Sequence, residues 1–141
     1  MTNTDTHLFW ASSSNERDII PKRSRCTDIA VDRHDISSTD RVYTLGFICG
    51  EYGIKGFTID KVTFTNGIKD VTPAIDPDTR FDKADKVRLR ETETRGQYIV
   101  AMYYGYNRTI NVYNIVSPDD RSALVVKLIH SIPEGCLKVT S

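Results

Sequence analysis

From Val42 onward, apolar and polar positions alternate in short runs divided by turn signals, the period-two pattern of β-strands. Val42–Cys49 sets Tyr43, Leu45, Phe47 and Cys49 on one face, and Gly50-Glu51-Tyr52-Gly53 then predicts a turn. In Ile54–Thr65 the apolar parity switches from Phe57 and Ile59 to Val62 and Phe64. A β-bulge near Asp60-Lys61 would produce such a change of face. Asn66-Gly67 is the strongest hairpin signal in the chain, because both central residues of that turn type need positive φ. Ile68–Val71 returns from it.

The stretch Asp70 to Asp85, with Pro73, Pro77 and a run of aspartates, predicts a surface loop. Lys86–Arg90 reads as a strand with Lys86, Arg88 and Arg90 on one face and Val87 and Leu89 on the other. A turn at Thr94-Arg95-Gly96 leads into Gln97–Tyr106, apolar on both faces and so central in a sheet. Arg108–Val116 pairs back through the Tyr106-Asn107 corner. It is expected to send Ile110, Val112 and Val116 inward and Thr109, Asn111 and Tyr113 outward.

Ser117-Pro118-Asp119-Asp120 has the chemistry of a helix start: a capping hydroxyl, a proline at the first position and two acids at the positive end of the dipole. A short helix through Ala123–Ile129 is expected to follow and to end before Pro133-Glu134-Gly135, with the β-branched pair Val125-Val126 leaving a strand as the alternative. Cys136–Val139 reads as a last edge strand.

Residues 1–40 are different. They are rich in Ser, Thr, Asp and Arg, with the short apolar islands Leu8-Phe9-Trp10-Ala11 and Ile29-Ala30-Val31. The pattern predicts a polar arm or strap, pinned by Trp10, ahead of a β-rich domain over 41–141. Lys22-Arg23-Ser24-Arg25 is a short basic patch that keeps such an arm solvated.

Composition narrows the function classes. Hydrophobic residues make up 39% and charged residues 27% of 141, enough for one core with little room for a second. Nineteen basic residues balance nineteen acidic ones, so no global field steers the chain to duplex DNA, and self-association meets little charge repulsion. Cys26, Cys49 and Cys136 are too few and too far apart for a metal knuckle or a fully paired disulfide framework. With no signal-peptide pattern and no apolar run long enough for a membrane helix, the expectation is an intracellular, cytoplasmic chain with reduced thiols.

Four constellations carry possible chemistry. Arg33-His34-Asp35 puts a carboxylate beside an imidazole, but sequence neighbours on a loop rarely reach catalytic geometry. Asp76, Asp78, Asp82 and Asp85 could contribute to a Ca²⁺ cage, yet Arg80, Lys83 and Lys86 interrupt them and no EF-hand pattern is completed, so no metal is expected. Tyr98, Tyr103, Tyr104, Tyr106 and Tyr113, interleaved with Arg95 and Arg108 as well as Lys86, Arg88 and Arg90, could form a stacking and phosphate-tracking face for single-stranded nucleic acid. The same tyrosines fit an aromatic contact face for a carbohydrate, another protein or a second copy of the chain.

The expectation is a mainly β chain, an antiparallel β-sandwich or small β-barrel with one short helix near the C-terminus. Its function is expected to be non-enzymatic binding or assembly through the Tyr-rich face or an edge strand, without a cofactor. A single-stranded nucleic-acid binder is the first alternative and a small hydrolase around His34 the second.

Overall fold

A computed structural model of the chain describes residues 19–51, 54–117 and 124–133. They form eight strands: β1 (Cys26–Asp35), β2 (Arg41–Glu51), β3 (Ile54–Thr65), β4 (Ile68–Asp78), β5 (Lys86–Glu91), β6 (Gln97–Tyr104), β7 (Thr109–Val116) and β8 (Val125–Pro133). The strands make two antiparallel four-stranded meanders, β1-β2-β3-β4 and β5-β6-β7-β8. Inward side chains of both sheets, among them Ile48, Phe57, Ile59, Val87, Val100 and Ile115, share one buried core. Gly46 lies where the sheets approach closely, since a Cβ there would meet the Phe57 ring of the neighbouring strand at 2.9 Å and Leu89 of the second sheet at 3.4 Å.

The sheets also meet edge to edge. Asp28 Oδ2 accepts the Val87 N–H at 2.8 Å and Asp32 Oδ2 accepts the Glu91 N–H at 3.2 Å. Both contacts advance four residues along each strand, so β1 and β5 run side by side in the same direction. Carboxylates there satisfy N–H groups that a backbone ladder would otherwise take.

Sheet one has a second apolar face. Its outer side buries Ile29, Tyr43, Leu45, Phe47, Cys49 and Val62, with Ile19 from the preceding segment fully buried against them. Arg23 forms an ion pair with the buried Asp60 and lies 5.4 Å from the Phe47 ring centre. A charge enters this face because it arrives paired.

The Asn66-Gly67 hairpin is present, with φ of 53° and 82° and Thr65 paired to Ile68. The parity switch in β3 has another cause than a bulge in that strand. Pairing with β2 runs residue for residue through Asp60 and Lys61, and the irregularities fall on the β4 side, around Ile59 and Asp60. Phe57 and Ile59 face the inter-sheet core whereas Val62 faces the outer one, so a straight strand shows apolar residues on both parities.

Four expectations need correction. β1 lies within the stretch expected to be a polar arm; an edge strand needs few apolar residues, and two of its aspartates bond the backbone of β5. The expected loop after Asp70 is strand β4 as far as Asp78, followed by a single 3-10 turn at Thr79–Phe81. Pro73 and Pro77 are tolerated because β4 is an edge strand with irregular pairing. Val125–Pro133 is a strand rather than part of a helix, because β7 offers a pairing edge that outweighs the local helix signal. Finally, β7 is inverted: Ile115, Tyr113, Asn111 and Thr109 share the inner face with their partners Tyr98, Val100, Met102 and Tyr104, and Ile110, Val112 and Val116 point outward. The proposed helix start at Pro118–Asp120, the Trp10 island and the Cys136–Val139 strand lie outside the described residues.

Candidate functional site

The tyrosines do not form one exposed face. β6 alternates strictly in burial, so Tyr98, Val100, Met102 and Tyr104 are inside. The Tyr113 hydroxyl lies 3.0 Å from that of Tyr104 and accepts from Asn111 Nδ2 at 3.0 Å, and its ring packs edge-on against Phe81 at 5.0 Å. These rings plug one end of the inter-sheet core. Burial, followed by the Glu91 charge, pushes the Tyr98 hydroxyl up to about 12, and burial with the Tyr113 contact pushes Tyr104 strongly the same way. Tyr106 is exposed on the β6–β7 turn, where Lys83 lies 5.7 Å from its ring centre, and Arg108 holds positive φ on the same turn. Only Tyr103 stands on the outer face of sheet two.

The aspartates of the former loop are engaged locally. Asp78 Oδ1 accepts from the Arg80 backbone and from Arg80 Nε, and Asp85 Oδ2 accepts the Gly105 N–H at 2.7 Å. Among the described residues no group of three His, Cys, Asp or Glu side chains converges as metal ligands.

His34 and Arg95 line a cleft of about 610 Å³ at the other end of the inter-sheet space, together with Asp32, Thr44, Lys61 and Glu91. Lys61 and Glu91 pair at 2.8 Å across the sheets, and Glu91 also accepts the Gly96 N–H. Four cations, Arg33, Lys61, Arg90 and Arg95, face three carboxylates, Asp32, Glu91 and Glu93, in this cleft, so it carries no strong field of either sign. Cys26 and Cys49, expected as free thiols, are joined as a disulfide between directly paired positions of β1 and β2, so neither offers a thiolate to His34. Cys136 lies outside the described residues.

What sequence reasoning missed is on sheet two. By register, its outer face carries Lys86, Arg88 and Arg90 on β5, Ile99, Ala101 and Tyr103 on β6, and Ile110, Val112 and Val116 on β7. β8 adds Val125, Lys127, His130 and Ile132. The signal was present in the Lys86/Arg88/Arg90 alternation, but the inverted parity of β7 hid the aliphatic half of the surface. β8 is also an edge strand, nine residues long, and exposes Val125 at 57%, Leu128 at 52% and Ile129 at 47%. The opposite edge, β4, carries two prolines, irregular pairing and the charges Lys69, Asp70 and Asp76, which are devices that discourage edge pairing.

Comparisons with protein-family models, curated proteins and solved structures gave no match, so the site is interpreted from its own geometry. Among the described residues no helix is long and apolar enough to cross a membrane.

Proposed function

We propose that this chain is a non-enzymatic assembly module that associates with a second copy of itself through the β8 edge. The observation that carries this is the nine-residue edge strand with three exposed aliphatic side chains and no strand beyond it among the described residues. Such an edge presents unpaired N–H and C=O groups ready to pair. Antiparallel pairing of β8 with its own copy is isologous, so it closes as a dimer and does not propagate. Lys127 and His130 are the only ionisable side chains on the strand, and the chain carries no net charge to oppose approach. Pairing would join the two second sheets into one continuous eight-stranded sheet.

Size-exclusion chromatography with light scattering tests this. The expected result is a dimer for the wild type and a monomer for Val125→Lys with Leu128→Lys, both with the same melting temperature, since both positions are solvent-facing in the monomer. A wild-type monomer at high concentration, or a double variant that still dimerises, overturns the proposal. Steep salt-dependent retention of a monomer on heparin would favour the nucleic-acid alternative instead.

A further inference from the structure

We propose that the outer face of the second sheet docks an acidic amphipathic α-helix of a partner protein, laid between two rows of cations. Register puts Lys86, Arg88 and Arg90 along β5 and Lys127 and His130 along β8, with the strands β6 and β7 between them. The four strands place no carboxylate on this face, in a chain whose acids and bases are equal in number overall. Asp28 sits in the seam 3.6 Å from Arg88 and is already bonded to the Val87 N–H. Arg88 is itself 78% exposed, so its charge remains available to a partner.

The floor between the rows is apolar: Ala101 and Tyr103 pair with Val112 and Ile110. A hollow of about 350 Å³ opens there beside Lys86 and Arg88, with Tyr103 and Ile110 among its walls. That is room for a large apolar side chain.

The dimensions select the occupant. Three inter-strand spacings separate β5 from β8, or roughly 14 Å, and an α-helix with its side chains is about 10–12 Å across. Successive cations on β5 are two residues apart, about 6.7 Å, close to the roughly 6 Å rise between acids at i and i+4 on a helix. A helix with an apolar stripe and acids on both flanks therefore meets the floor and both rows together. Single-stranded nucleic acid would match the cations, but it also needs aromatic platforms for successive bases, and Tyr103 is the single aromatic on this face.

The test is fluorescence anisotropy with a labelled synthetic helix carrying a leucine stripe flanked by glutamates. Its glutamine counterpart, a labelled oligothymidylate and anionic vesicles serve as comparisons. The wild type should bind the glutamate peptide with an affinity that falls as salt rises, and bind the glutamine peptide at least tenfold more weakly. Lys86→Glu with Arg88→Glu should lose at least tenfold while keeping the melting temperature, and Tyr103→Ser should lose less. No binding of the glutamate peptide overturns the proposal, as does binding indifferent to the β5 reversal. Tighter, reversal-sensitive binding of the oligonucleotide or of the vesicles would replace the helix with that partner. The β5 substitutions leave β8 untouched, so failure here and failure of self-association are read separately.

Discussion

Sheet one and sheet two both carry apolar side chains on both faces, yet among the described residues only sheet one has both faces buried. On its outer side Tyr43, Leu45 and Phe47 are fully buried beneath cover that includes Ile19, and the one buried acid there, Asp60, meets Arg23. The outer side of sheet two keeps Ile99, Ala101, Tyr103, Ile110 and Val112 only half-buried, between rows of cations of which Arg88 meets Asp28 from the seam. An apolar face becomes core when the chain supplies a neutralised cover for it. Among the described residues no such cover lies over the outer face of sheet two. The two outer edges differ in the same way: β4 is guarded by prolines and irregular pairing, and β8 is not.

The comparison breaks first at Phe47. Phe47→Ala should cost about 3–5 kcal/mol by urea unfolding, as for a fully buried aromatic; a cost below about 1 kcal/mol would mean the outer face of sheet one is not a core. Next in size is the disulfide on that same face. It joins residues 23 apart, so its reduction should lower stability by about 3 kcal/mol, measured by unfolding with and without reductant. Identical unfolding curves would show that the covered face closes without it.

A smaller loss is expected in alkali. The Tyr98 hydroxyl is raised from 10.0 to about 12, so folding favours its neutral form; that contribution is intact below pH 10 and disappears as the pH climbs toward 12. Denaturation at a series of pH values should show stability falling across this window, with a shallower fall in Tyr98→Phe, since Tyr104 is shifted in the same direction. An equal fall in the variant would place the titrating group elsewhere. The smallest effect belongs to sheet two: Tyr103→Ala should change stability by about 1 kcal/mol or less. A loss as large as that for Phe47→Ala would make this face a core as well and remove it as a docking surface.

Much of the strand content was legible because it depends on local period and turn chemistry. Asn66-Gly67 needs two positive φ angles, the Lys86–Arg90 alternation survives intact as β5, and the run read as Gln97–Tyr106 is strand β6 as far as Tyr104. β1 and β4 were obscured because edge strands tolerate charges and prolines that would disqualify a central strand. β8 was obscured because a helix cap is a local feature, whereas the pairing edge that outweighs it belongs to β7. The candidate surface was half legible, in its cations and in Tyr103.

By itself, then, the sequence determined that the chain is built of antiparallel strands, where several of them turn, and which residues alternate within β5. Only the tertiary structure decided which parity of β7 faces the core. Aliphatic and aromatic side chains occupy both parities of that strand, so hydrophobicity alone favoured Ile110 and Val112. Tyr113 took the interior because Phe81 packs against its ring and Tyr104 and Asn111 satisfy its hydroxyl. Phe81 and Tyr104 come from other places in the chain, and no local pattern can report them.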